Sequence, residues 1–437
     1  MSIVTQNFKP TPYWWEAAPP SKGTKEVPNK SYDVVVIGSG VSGLSTALTL
    51  AEGGRSVAVF ETGLIGSGAS SRSNGAVVTN FGEELSEAKF GADKLSSISR
   101  LAVDSANYLL TMPEKYKFDP LLKHYDRYIL ALTEKHAKRF SRSAEKQLRR
   151  NPDLRWKPQP LTRNELVEQT GLTGFFGALL IPQTLSMQPS LYTQGMASAC
   201  ADAGVELFAH CKVSKVKRTQ TGFEIQTPHG VVSAKNVVAA TNGYTGDELP
   251  MFRKRIMNVR LYMAATEPVP RSLYEKIFPS RRKFSSSKHN MAWIRPSPDG
   301  TCILIGGRGG MGGDDAVKHA EALHAEMSEL MPELSFLKFT HCWYGETGFP
   351  HDFVPHLGTV DGIHYLMGYC GRGMALGTYL GNRLAHKILG SDPELSRTPL
   401  DELTFPVEPV PGFLRNAYLR TGLKWTNFKD WKDLRFG

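Results

Sequence analysis

Three glycines in the run Gly38-Ser39-Gly40-Val41-Ser42-Gly43 have the G-x-G-x-x-G spacing at which backbone can hold a pyrophosphate. The first glycine allows a tight turn, the second lets a phosphate approach with no Cβ in the way, and the third lets a helix pack closely on its strand. Glu61, followed by Thr62, stands at about the ~20-residue separation at which a carboxylate accepts hydrogen bonds from ribose hydroxyls. An acid there also repels a 2′-phosphate, which disfavours NADP. Alone the glycine pattern is common, so its context has to carry the assignment.

The context is strand, glycine turn, helix, strand. Val34-Val35-Val36-Ile37 is the continuous apolar run of a buried parallel strand. Leu44, Ala47, Leu48 and Ala51 then recur at helical spacing, Gly53-Gly54 ends the helix, and Val57-Ala58-Val59-Phe60 is a second buried strand. Two later segments read as parts of the same sheet. Val237 to Ala240 ends in Thr241-Asn242-Gly243, and Tyr365 to Gly368 runs into the glycine-rich stretch Gly371 to Gly377. Helical patterns at about 94–112 and 136–150, and strand-like ones at about 205–227, 258–268 and 291–307, lie among them. The fold class is α/β, a Rossmann-like nucleotide domain assembled from separated segments (31–90, 185–250 and 350–400). A substrate domain (91–184 and 251–349) is inserted into it twice. Residues 1–30, with Tyr13, Trp14 and Trp15, form an arm laid over the body or a frayed terminus.

Composition bounds the rest. A chain of 437 residues, 41% hydrophobic and 22% charged, suits two closely packed domains. No stretch approaches the ~18 apolar residues of a membrane span, and Met1 to Pro10 lacks the features of a signal peptide, so the expected location is the cytoplasm. Five cysteines without a C-x-x-C pair argue against a disulfide framework and against a metal site. The formal charge of +10 is spread thinly, with a local excess in the tail 401–437, which carries Arg415, Arg420, Lys424, Lys429, Lys432 and Arg435. No nucleic-acid module accompanies that charge. The tail also holds Trp425, Phe428, Trp431 and Phe436, a strap packed on the body or a dock for a partner or a membrane surface.

NAD and FAD share the fingerprint, and the residues after Glu61 separate them. In Gly66-Ser67-Gly68-Ala69-Ser70-Ser71-Arg72-Ser73-Asn74-Gly75 the small residues let backbone lie against a flat ligand, while Ser70, Arg72, Ser73 and Asn74 offer polar contacts. Such a stretch suits a flavin's ribityl chain and ring. With Gln188-Pro189-Ser190-Leu191-Tyr192, Ala240-Thr241-Asn242-Gly243-Tyr244, Ala265-Thr266-Glu267-Pro268, Ile305-Gly306-Gly307-Arg308 and Gly368-Tyr369-Cys370-Gly371-Arg372-Gly373-Met374, it makes an ordered set. By this set the chain resembles the D-amino-acid-oxidase-type family of FAD oxidoreductases from about Tyr13 to Gly390. That family includes glycine oxidase, sarcosine oxidase and gamma-glutamylputrescine oxidoreductase, and the resemblance is strongest to the last.

The resemblance implies a glutathione-reductase-type FAD fold with an α+β substrate domain on a mixed or antiparallel sheet. It implies FAD bound by the fingerprint, by Ser70 to Gly75, by Thr241 and Gly243, by the main chain of Val213 at the adenine, and by Gly371, Gly373 and Met374 at the flavin pyrimidine. It also implies oxidation of a C–N bond: hydride passes from the amine-bearing carbon to flavin N5, and the imine hydrolyses. Oxygen or another acceptor takes the electrons. For the substrate side, Tyr262, Trp293, Trp343 and Tyr344 are candidates for an aromatic wall, Arg308 for a carboxylate clamp and Glu346 for an ammonium partner. Arg372 replaces the family's usual histidine. Cys342 matches a position of covalent flavin attachment in sarcosine oxidases. The oxygen-activating lysine of those enzymes has no counterpart in Thr301 to Ile305, so oxidase and dehydrogenase both stand. A sarcosine-like N-demethylase and a non-catalytic flavoprotein are the alternatives.

Overall fold

The computed structural model describes residues 2–26, 28–81, 85, 87–150, 157–279, 281–308, 314–408, 410 and 414–436. The strand Ser31–Ile37 lies at the centre of a sheet of eight described strands, with Val34, Val35 and Val36 fully buried as a strand covered on both faces must be. It pairs in parallel with Val57–Phe60 on one side and Gly230–Ala239 on the other; Glu206–Phe208 and Ile363–Met367 extend the parallel core. The register sets Ile37 beside both Phe60 and Ala239, and Ala239 beside Tyr365. The chain therefore leaves these strands at one edge, and the turns after Ile37, Phe60, Ala239 and Met367 cluster there. That is where open α/β sheets bind ligands.

The helix Val41–Glu52 packs flat on the helix Gly373–Leu389, because glycines replace side chains at their crossing. A Cβ on Gly381 would lie 2.6 Å from the Ser42 carbonyl oxygen, and Ser45 Oγ donates to Thr378 O at 2.6 Å. The 24-residue helix Ala92–Lys115 joins the same apolar core through Leu95, Ile98, Leu101 and Leu109. By packing it thus belongs with the nucleotide layer, although its sequence position placed it in the inserted domain.

The second sheet has ten described strands in the order Val4–Lys9, Phe339–Phe349, Met257–Thr266, Ile303–Arg308, Ala292–Pro296, Arg282–Ser286, Lys123–Leu130, Gly177–Ser186 and Ala76–Val77, with Gln159–Thr162 off Gly177–Ser186. Most pairings are antiparallel, but Arg282–Ser286 runs parallel to Lys123–Leu130. The helix Ala316–Leu330 covers one face through Ala320, Leu323 and Met327.

The N-terminal arm is part of the body. Val4–Lys9 adds a strand to the edge of the second sheet, and Trp14 is 1% exposed. Its indole N–H donates to Ser73 O at 2.8 Å, and Trp15 donates to Ser71 Oγ at 3.0 Å, so the arm braces the stretch before Gly75. The tail ends in a helix, Arg415–Phe436. No helix among the described residues is long and apolar enough to cross a membrane.

Candidate functional site

Between the two sheets lies a cavity of about 800 Å³, towards the upper end of the ~300–1,000 Å³ typical of small-molecule sites. One end is the glycine turn. Gly38 takes φ +105°, a conformation that L side chains rarely adopt, and a Cβ there would meet the Ala240 oxygen at 2.9 Å. A Cβ on Gly43 would collide with the carbonyl oxygen of Gly38, so that glycine is required for the helix to reach its strand. The first N–H groups of Val41–Glu52 have no acceptor within the helix. Val41 N donates to Ser70 Oγ at 3.0 Å, which ties the helix start to the small-residue stretch. Glu61 is held in place by Ser39, whose N–H and Oγ donate to Oε2 at 2.9 and 2.7 Å, and by Gly63 N at 3.0 Å from Oε1.

Gly38, Gly40, Val41, Ser42, Glu61, Thr62, Ser70, Arg72, Ser73, Asn74, Gly75, Val213, Thr241, Gly371, Gly373 and Met374 all border this cavity. The start of Gly373–Leu389 adds a second helix N-terminus beside the first, so two positive dipole ends face one space. Ser39, Gly43 and Gly243 lie behind the wall. Ser39 and Gly43 shape the turn, and Gly243 lets the strand Phe339–Phe349 pass, since its Cβ would come within 2.7 Å of Glu346 O.

The substrate-side candidates divide. Trp293, Tyr344 and Glu346 border the cavity. Glu346 is already engaged, accepting from Asn258 Nδ2 at 2.6 Å and from Arg260 Nε at 3.3 Å. Tyr262 is in the apolar core, stacked on His319 at 3.7 Å. Trp343 also turns away, since its indole N–H donates to Arg72 O at 2.9 Å and its ring packs edge-on against Trp14. Strand alternation alone does not account for the split, because Tyr262 and Tyr344 are cross-strand partners on one face, with rings 5.6 Å apart, yet only Tyr344 borders the cavity. Arg372 does not border the cavity; its guanidinium lies 5.2 Å from the centre of the Phe81 ring. The side chain of Arg308 lies outside the described residues.

Among the cavity-wall residues to which the sequence assigned no role, Arg127 and Lys283 stand out. Arg127 and Lys283 are register partners on neighbouring strands, and both border the cavity. Arg127 donates to Ser285 Oγ at 3.2 Å and contacts Met291 Sδ at 3.2 Å; Lys283 donates to Ser186 Oγ at 2.9 Å. Neither pairs with an acid among the described residues. Burial pulls Arg127 down to about 10; burial, with Arg127 and Arg295 close by, holds the Lys283 amine well below its ordinary value. Charged residues within apolar strand runs were the available signal, but only pairing shows that the two stand side by side. Arg295, from the next strand, closes this corner by donating to Asn74 O at 2.5 Å.

Residues 33–387 match the model of a family described as FAD dependent oxidoreductase, DAO. The chain belongs to that family. Among curated relatives, it is 26% identical over 410 residues to the gamma-glutamylputrescine oxidoreductase of Escherichia coli, covering 91% of this chain and 92% of that protein. It is 25% identical over 437 residues to the probable oxidoreductase OrdL of Rhizobium meliloti, covering 95% and 97%. Among solved structures, glycine oxidase from Geobacillus kaustophilus shares the fold with a TM-score of 0.71 at 22% identity, covering 88% of this chain and all of that one.

The cavity of this FAD-dependent oxidoreductase fits its cofactor. The glycine turn leaves room where a Cβ would intrude, two helix N-termini face an anion, and Glu61 is fixed at the end of the second strand. The Asn74 Oδ1 and Trp293 Nε1 atoms are buried without a partner among the described residues, and both residues border the space. A ligand with donors and acceptors at its rim would satisfy them.

Cys342 stands apart. It is fully buried in the core under Ala316–Leu330, does not border the cavity, and burial pushes its thiol up to about 12. A thiol so placed neither reaches the cofactor nor ionises readily. In acid or urea the flavin should therefore separate completely from the chain, and Cys342→Ala should keep full flavin content. Yellow colour that stays with the precipitated chain would contradict this.

Proposed function

We propose that this flavoenzyme oxidises the C–N bond of an amine or amino acid that also carries a carboxylate or similar anion. The curated relatives include enzymes named for gamma-glutamylputrescine, sarcosine and glycine, which supports an amine or amino acid as the substrate class. The observation that carries the finer reading is the Arg127–Lys283 pair. Two cationic groups side by side on a cavity wall, with no acid beside them, repel each other until an anion arrives.

FAD, bound as described, supplies the two-electron acceptor that the side chains lack. The protein binds and orients. Arg127 and Lys283 fix the anionic end of the substrate, and Trp293, on the same wall, offers an aromatic surface to the remainder. Because the amine must react in its neutral form, the cations Arg127 and Lys283 on the wall, which disfavour a nearby ammonium, assist the step.

Anaerobic titration tests this. Amines with a distal or α-carboxylate should bleach the flavin, and their uncharged amide or ester analogues should do so at least about 100-fold less efficiently, a loss of ~2.7 kcal/mol. Equal bleaching by both sets would remove the anion subsite. Failure of every amine, including N-methyl amines and gamma-glutamylated polyamines, would remove the amine assignment itself. Formaldehyde as a product would mark an N-methyl substrate.

A further inference from the structure

The helix Arg415–Phe436 sits on the protein the wrong way out. Its contact ridge is polar: Asp430 is 7% exposed and accepts from His289 N at 2.6 Å and Asn290 N at 2.9 Å. One turn further on, Asp433 pairs with Lys135 at 2.5 Å, and His136 and His289 lie 3.7 Å from its other oxygen. The apolar residues face outward instead. Trp425 is 58% exposed, Phe428 47%, Trp431 48% and Phe436 72%. Trp425, Phe428 and Trp431 form a ladder with rings 5.7 Å apart at 26°.

Charge is sorted in the same way. Both acids of the helix are spent on the body, whereas Arg420, Lys424, Lys429, Lys432 and Arg435 are exposed. Lys429 and Arg435 lie over the Trp425 and Trp431 rings at 5.6 and 5.7 Å. The outward face therefore presents aromatic rings among cations and no anion. Soluble surfaces rarely leave such a patch without a partner. A second copy of this chain would set the same positive face against itself, which costs energy in a two-fold interface. The ladder also offers nucleobases few free ring faces, since its rings stack on one another. Aromatic rings with lysine and arginine on one helix suit the boundary between acyl chains and anionic headgroups.

We infer that the outer face of the helix Arg415–Phe436 docks this protein on an anionic membrane surface. The helix then lies in the interface plane, with Trp425, Phe428 and Trp431 at headgroup depth and the five described cations against lipid phosphates. Its seat is the turn holding His289 and Asn290, and His289, Met291 and Trp293 from that region border the cavity. Docking therefore places the cavity wall next to the membrane.

The test uses full-length, FAD-loaded protein and vesicles of phosphatidylcholine with or without phosphatidylglycerol. The protein should sediment with the anionic vesicles at low salt, remain in solution with the neutral ones, and be released by high salt. The variant carrying Trp425→Ala, Phe428→Ala and Trp431→Ala should bind at least about tenfold more weakly. Lys424→Gln, Lys429→Gln and Lys432→Gln should each cost about fivefold. Flavin absorbance and amine-dependent bleaching should stay as in the parent. The inference fails if the parent ignores anionic vesicles at low salt, or if it shifts duplex DNA and not vesicles. It fails equally if the protein is a dimer that the aromatic variant dissolves, because the occupant is then a second copy.

Discussion

Gly40→Leu should yield a folded protein that purifies without its yellow colour. Gly40 has φ −68° and ψ 169°, a conformation open to any residue. The nearest atom to an added Cβ is Ser70 Oγ at 3.2 Å, the end of a small rotatable side chain. A leucine there is tolerated by the fold but projects into the cavity, where we place the pyrophosphate. FAD affinity should fall by about 100-fold or more, ~2.7 kcal/mol, while unfolding of the two flavin-free proteins should coincide. Gly43→Leu is the contrast, since its Cβ collides with Gly38 O and the fold itself should fail. Full flavin occupancy in Gly40→Leu would move the pyrophosphate elsewhere.

Lys283→Met should make the flavin-free protein more stable and the enzyme worse. An amine buried beside Arg127 and Arg295 costs folding energy, and methionine of similar length removes that cost, on the order of 1 kcal/mol or more. The sign follows from proton counting. The unfolded chain keeps this proton up to about the ordinary 10.5, whereas the folded chain loses it at lower pH. Between those values the unfolded state holds more protons, so the parent gains stability as pH rises, and the variant should lose that dependence. Substrate binding runs the other way. An anion next to Lys283 favours its charged form, so the Michaelis constant for a carboxylate-bearing amine should rise with pH in the parent. In Lys283→Met it should be higher throughout, by about tenfold (~1.4 kcal/mol), and flatter. Urea unfolding across pH and steady-state kinetics measure both. A variant that is less stable yet kinetically unchanged would show that Lys283 only packs.

How far the sequence could be read differs along the chain. The strand–turn–helix around Gly38 to Gly43 is local: its glycines, its apolar run and Glu61 lie within a short span, and short-range sterics decide their geometry. The strand Phe339–Phe349 was legible as apolar and aromatic, but which of Trp343 and Tyr344 meets the cavity depends on what distant segments pack against each. Trp14, far away in sequence, takes one of them. Arg372 shows the same limit, for its place beside the glycine turn said nothing of the Phe81 ring that it covers. The tail was legible as basic and aromatic, yet only its docking through Asp430 and Asp433 turned those side chains outward.

The amino-acid sequence by itself determined the dinucleotide turn, the acid that follows it, and the flavin-type stretch from Gly66 to Gly75, because each depends on neighbours along the chain. Tertiary structure alone decided which distant strands lie side by side. It set Arg127 against Lys283, withdrew Tyr262, Trp343 and Cys342 into the core, and gave the final helix its outward face. Strand register and sheet order join residues far apart in the chain, and no local pattern encodes that pairing.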